Sequence, residues 1–286
     1  MDKITKLDFV VVGVQKSATT WIYECLKNHP EISLKNNKYE INYFGGENFR
    51  KLGESWFWNQ FDNSAKVKGD VSVEYIKDKE ALKELKENFT DVKVILCLRN
   101  PVERAISAFY WYQRKSLVTS EPIEQQFEDA LCNRTDNAKL KDILDRGKYS
   151  DQVQFLLDHF EHNQIGICLY DELSISPDIF LHNIFKFIDL ADQSYRPSVI
   201  NRRPKKTSSS NLILKFQRLF PNSKVTFKLA EILTNILEKK GNDYEQLSKL
   251  KSSLREYYYK DLETLRKQLV KHKGVLLSEI EYLNKW

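Results

Sequence analysis

The chain lacks any run approaching the ~18–20 apolar residues that a membrane-spanning helix needs. No apolar signal-peptide core stands in MDKITKLDF, ahead of the first hydrophobic stretch. The four cysteines, Cys25, Cys97, Cys132 and Cys168, show no metal-like spacing, and three of them lie in apolar stretches. They read as buried free thiols in a reducing compartment, so the expected location is cytoplasmic and no metal is expected. An extreme of charge is missing too. The 45 basic and 40 acidic residues leave a net charge of +5, with no dominant basic stripe. That balance permits anionic ligands without demanding nucleic acid, and no nucleic-acid partner is expected. There is no internal repeat and no clean domain boundary. With 286 residues, 41% of them hydrophobic, one sizeable core is expected in a single domain spanning 1–286.

The most informative stretch is FVVVGVQKSATTWIYECL, Phe9 to Leu26. Its β-branched apolar opening is the pattern of a fully buried strand. Gly13 breaks the run, Lys16, Ser17, Ala18, Thr19 and Thr20 follow, and Trp21, Ile22, Cys25 and Leu26 resume at helical spacing. A strand, a short polar turn and a helix make an anion site. Free turn amides and the positive end of the helix dipole converge on one point, and Lys16 adds a mobile charge. The loop does not fit the nucleotide triphosphatase pattern G-x-x-x-x-G-K-[ST], because only two residues separate Gly13 from Lys16.

Further strands are expected at Ile32 onward, Gly69–Ile76, Lys93–Pro101 and Ile165–Tyr170. Helices are expected at Lys79–Phe89, Val102–Tyr112, Glu121–Leu144, Asp151–Phe160 and Asp178–Ile188. From Leu212 the pattern is helical, and Leu247, Leu250, Leu254, Tyr258, Leu262, Leu265 and Leu269 form one apolar face. Strands alternating with helices predict an α/β fold: a central parallel sheet flanked by helices, a P-loop-like strand-loop-helix and a C-terminal helical segment. The strand VILCL ends in Arg99, whose planar fork suits a terminal phosphate, and Ser107 on the next helix can add a hydroxyl. A cation at that strand end favours a bare phosphate monoester over a bound metal. Trp56, Phe57, Trp58 and Phe61 form an aromatic cluster that reads as core.

QKSATTWIYECLKNHPEI resembles the 5′-phosphosulfate loop of sulfotransferases that use 3′-phosphoadenylyl sulfate (PAPS), with Ala18 where Gly is commoner. RNPVERAISAFY is similar to the same family's 3′-phosphate motif, R-[DN]-P-x-x-R-x-x-S-x-[YF]. The segments GKYSDQVQFLLDHF, IGICLYDEL and the closing helices are similar as well. The resemblance implies that Lys16, Ser17, Ala18, Thr19 and Thr20 hold the 5′-phosphate and that Arg99 and Ser107 grip the 3′-phosphate. Arg104 can instead pair with a carboxylate. The basic loop NRRPKKTSSSN, with Arg203, Lys205 and Lys206, stands where relatives close over the nucleotide. The product would be PAP.

Sulfuryl transfer to a hydroxyl needs a general base within hydrogen-bond reach. YEINYF resembles the K-E-x-H-[FY]-F segment of glycan sulfotransferases, which implies Glu40 as base beside Lys16 as catalytic cation. Tyr39 and Asn42 depart from that pattern. Asp70 matches a position lining the family's acceptor cleft and is the reserve base, and Ser72 and Tyr43 are expected on the same side. His29 belongs to the His-Pro turn and is expected to be structural. The implied acceptor is a hydroxyl-bearing small molecule or glycan, in the carbohydrate and heparan-sulfate-type branch. A kinase-like triphosphate enzyme and a non-catalytic nucleotide-binding module are the alternatives. Oligomeric state is open.

Overall fold

The apolar run from Phe9 becomes strand β1 (Phe9–Gly13), every residue of it buried. A computed structural model of the chain describes residues 6–34, 42–62, 64–119, 121–190, 194–201 and 244–286. Four more strands are β2 (Ile32–Leu34), β3 (Val67–Val71), β4 (Lys93–Leu98) and β5 (Ile165–Leu169). All pair in parallel in the order β2-β3-β1-β4-β5. The strand with the most continuous β-branched run therefore takes the middle, where both faces must be covered. Alternation along β1 and β4 sends Phe9, Val11, Ile95 and Cys97 to one face, and Val10, Val12, Val94 and Leu96, of opposite parity, are equally buried.

The connections are helices α1 (Thr19–Lys27), α2 (Glu47–Trp58), α3 (Lys79–Asn88), α4 (Pro101–Arg114), α5 (Ile123–Leu131), α6 (Ala138–Asp145), α7 (Ser150–His159), α8 (Tyr170–Ile175) and α9 (Pro177–Phe187). A last helix, α10, runs over Tyr244–Lys271. Local chemistry sets several ends. The Asp78 carboxylate accepts from the Glu80 and Ala81 amides and caps α3. Pro101 and Pro177 open α4 and α9, where a missing N–H costs nothing. On α1, Trp21, Ile22, Cys25 and Leu26 join Phe180, Leu181, Ile184 and Phe185 of α9 in one apolar cluster. His29 is buried there too, its Nδ1 accepting from the Glu31 amide and its ring edge-on to Phe185, the structural role expected for it.

The chain divides into two compact units. One holds Met1–Asn100, Tyr149–Pro204 and Leu262–Trp286, and the other Pro101–Lys148 and Lys205–Asp261. The first contains the sheet. Its edge beside β5 is extended by the C-terminal segment, where the Leu277 amide donates to the Ile167 carbonyl at 2.8 Å. The second contains α4, α5, α6 and the start of α10. There Arg104 is fully buried, and Nη2 donates to the Ile143 carbonyl in the last turn of α6. The Tyr258 hydroxyl donates to the Leu144 carbonyl at 3.0 Å. The expected carboxylate partner of Arg104 is thus replaced by a helix C-terminus, whose unpaired carbonyls and negative dipole end suit a cation.

Three expectations change. Glu121–Leu144 is two helices, because Asn133 takes a left-handed φ of 54° and Asn137 caps a new start by accepting from Lys139 and Leu140. Helix α2 covers a stretch expected only as an aromatic cluster, and it is kinked at Gly53 (φ 73°). Helix α8 directly prolongs β5 where no helix is expected. The apolar face of α10 is as expected, with Leu250, Leu254, Tyr258, Leu262, Leu265 and Leu269 buried. Among the described residues, no helix is long and apolar enough to cross a membrane.

Candidate active site

In an open parallel sheet, ligands sit beyond the strand C-terminal ends where the strand order reverses. Here that point follows β1, which pairs with β3 on one side and β4 on the other. Gly13 ends β1 under tight constraint, since a Cβ there would stand 2.6 Å from Cγ2 of Ile76. The loop to α1 then alternates its backbone. Lys16 (φ 72°) and Ala18 (φ 63°) are left-handed on either side of Ser17. Such alternation turns successive amides into a concave nest for an anion. Ala18 is also the residue before α1, and its methyl supplies no side-chain cap.

Two buried oxygens in this loop, Ser17 Oγ and Gln15 Oε1, have no hydrogen-bond partner. Leaving a buried polar group unpaired costs about 1–3 kcal/mol; the Ser17 hydroxyl can donate to an anion, whereas Gln15 Oε1 is an acceptor and calls for a donor. A phosphate accepting from the Ser17 hydroxyl fits this site. Gln15 was not expected among the site residues. Its orphaned oxygen exists only once the loop is folded. Thr19 is buried and Thr20 exposed at the start of α1.

Arg99 follows β4 and reaches this loop, its Nη1 donating to the Lys16 carbonyl at 3.1 Å. The two anion motifs, 83 positions apart, therefore meet. Two aromatics fix the arginine. Its guanidinium lies 4.6 Å from the centre of the Tyr170 ring, a cation–π contact. Its carbonyl accepts from the Tyr149 hydroxyl at 2.8 Å. The bidentate grip expected of Arg99 is thus modified, since one of its nitrogens holds the loop in shape. Ser107 is half-buried on α4, in the other unit, and its pairing with Arg99 rests on the resemblance alone.

The substrate-side residues are interior. Asp70, Ser72 and Tyr43 are 2%, 0% and 3% exposed. Tyr43 was expected to face the acceptor, but its ring stacks on Phe57 at 4.6 Å within a cluster of Phe44, Phe49 and Trp56. Asp70 and Ser72 bond to each other, the Ser72 hydroxyl reaching Asp70 Oδ2 at 3.1 Å. Glu40, Arg203, Lys205 and Lys206 lie outside the described residues.

Residues 6–228 match the family model for the sulfotransferase domain. The chain belongs to the sulfotransferase family. Among curated relatives, the sulfotransferase is 29% identical over 196 residues to bifunctional heparan sulfate N-deacetylase/N-sulfotransferase 1 of Caenorhabditis briggsae, covering 65% of this chain and 23% of that protein. It is 30% identical over 138 residues to the membrane-associated sulfotransferase kil1 of Dictyostelium discoideum, covering 45% of this chain and 28% of that one. The chain thus spans about a quarter of the length of these relatives. A crystal structure of a sulfotransferase from Alicyclobacillus acidocaldarius shares the fold, with a TM-score of 0.55 and 20% identity over 81% of this chain and 97% of that chain. The family match spans both motifs, Lys16–Thr20 and Arg99–Ser107. Sulfotransferases of this family generally use PAPS.

Proposed function

We propose that this sulfotransferase moves a sulfuryl group from PAPS to a hydroxyl of a carbohydrate acceptor by in-line displacement. The observation that carries the reading is the contact of Arg99 with the Lys16 loop, beside the orphaned Ser17 hydroxyl. Two grips at one strand-end crevice suit a ligand with a phosphate at each end. PAPS supplies the activated sulfuryl group. The loop amides and the Ser17 hydroxyl hold its 5′-phosphate, and Lys16 neutralises charge that develops on the leaving oxygen. Arg99 takes the 3′-phosphate, with Ser107, Arg203 and Lys205 as further ligands of that end. Glu40 receives the proton of the attacking hydroxyl. The carbohydrate acceptor is drawn from the relatives named for heparan sulfate. Because those names read N-sulfotransferase, a sugar amine is the second acceptor to test. The cytoplasm remains the proposed location, supported by four free cysteines, three of them buried.

The test is transfer of label from PAPS to a panel of desulfated heparan sulfate, other glycans, phenols and lipids, with magnesium-ATP turnover as the kinase control. Transfer to a glycan that Lys16→Ala lowers by about 10²–10³-fold supports the reading. ATP turnover without sulfuryl transfer, or a Lys16→Ala variant of full activity, defeats it.

A further inference from the structure

The segment that follows Glu40 is held in an unusual manner. Residues 42–45 belong to no helix or strand, yet four successive amides each meet a side chain. The Asn42 amide donates to Ser72 Oγ at 3.4 Å. The Tyr43 and Phe44 amides both donate to the Tyr75 hydroxyl oxygen, at 2.8 and 3.4 Å. The Gly45 amide donates to Glu84 Oε2 at 2.8 Å. Behind these contacts stands Asp70. It accepts from the Tyr75 hydroxyl at 3.2 Å and from the Ser72 hydroxyl at 3.1 and 3.2 Å.

The Tyr75 hydroxyl accepts two backbone protons and donates its own to Asp70 Oδ2. Burial, and then the Asp70 charge, push the Tyr75 phenol well above its ordinary range, which keeps that proton in place. With hydroxyls directed at both of its oxygens, Asp70 is engaged as an acceptor in the interior. That is a poor situation for a base that must take a proton from a substrate. The rings of Tyr43 and Phe44 lock the same segment from the other side through Phe49 and Phe57.

We propose that Asp70, Ser72 and Tyr75 form a positioning clamp that fixes the backbone at 42–44, and that Asp70 is not the general base. The assignment rests on the proposed transfer reaction but is read separately from it. A misplacement of about 1 Å costs on the order of 10²-fold in rate, so the clamp acts on kcat and leaves the nucleotide grip alone.

The experiment compares Tyr75→Phe, Asp70→Asn and Asp70→Ala in the full chain, with labelled PAPS, desulfated heparan sulfate and PAP as probes. Tyr75→Phe is expected to lower kcat about 10- to 100-fold while PAP affinity stays within about twofold. Amide hydrogen exchange at Tyr43 and Phe44 is expected to rise. Asn can still accept from Tyr75, so Asp70→Asn is expected to stay within about tenfold of the parent, whereas Asp70→Ala falls to the Tyr75→Phe level. An unchanged kcat or unchanged exchange in Tyr75→Phe overturns the clamp. So does an Asp70→Asn loss of about 10³-fold or more with PAP binding intact, because that is the mark of a base. Should Tyr75→Phe lose PAP binding through misfolding, the contrast between the two Asp70 variants decides. If the parent protein transfers nothing to the glycan, the proposed reaction fails, and exchange at 43 and 44 still reads the clamp.

Discussion

The loop between β1 and α1 and the segment at 42–45 are both short, irregular stretches beside the end of the sheet, and they are built in opposite ways. In the loop Lys16 and Ala18 are left-handed on either side of Ser17, and the Ser17 hydroxyl has no partner within the protein. At 42–45 every amide is bound by a neighbouring side chain. An anion brings its own acceptors, so a site for it must be left incomplete. The 42–45 backbone, by contrast, is completed from within by the side chains of Ser72, Tyr75 and Glu84. Both stretches also contain left-handed residues, Ala18 at φ 63° in the loop and Gly45 at φ 79° in the segment.

Three substitutions probe that contrast, in order of expected effect. Arg99→Lys keeps the charge but loses the planar fork that reaches the Lys16 carbonyl while lying on Tyr170. It is expected to lower kcat/KM by about 10²–10³-fold and to weaken PAP binding, read by steady-state kinetics and calorimetry. Near-parental values in both would show that the loop keeps its shape without the arginine. Gly45→Ala forces a Cβ to within 2.4 Å of Asp78 Oδ2 at a left-handed φ. It is expected to cost about 1–3 kcal/mol in urea denaturation, and a neutral outcome would mean that the segment is not rigidly held. The mirror change, Ala18→Gly, removes a left-handed strain of about 1–2 kcal/mol. Part of that gain is offset by the chain entropy of glycine, about 0.5–1 kcal/mol. A small stabilisation is therefore expected, seen as a modest rise in Tm; destabilisation would show that the Ala18 methyl has a packing role.

Those two regions were also unequally legible. The phosphate loop could be read because each of its parts is local: the β-branched run, the glycine, the single lysine and the amphipathic helix lie within 18 consecutive residues. That Ala18 sits at a left-handed φ, which favours glycine, shows only in the folded loop. Arg99 was legible as the end of an apolar strand, but its use of one nitrogen on the Lys16 carbonyl was not, since that contact joins residues 83 positions apart. The acceptor side was misjudged more. Tyr43, Asp70 and Ser72 carry groups that can bind a sugar, and nothing in GDVSVEYI or YEINYF says that they face one another rather than a ligand. The missed helix α2 has a comparable cause: Gly53 interrupts its periodicity, and only Phe57 of its residues is buried. The break between α5 and α6 was readable, because Asn137 precedes the helix in the position of a side-chain cap.

By its sequence alone this protein was committed to alternating strands and helices, to a central Phe9 strand and to two cationic anion motifs, because periodicity and turn chemistry act between near neighbours. Tertiary structure alone decided that Arg104 would close a helix end and that Asp70 and Tyr75 would grip a distant backbone. It also decided that Arg99 would reach the Lys16 loop. The approach of Arg99 to the Lys16 loop depends on parallel strand order, which sets remote strand ends side by side and which no local pattern encodes.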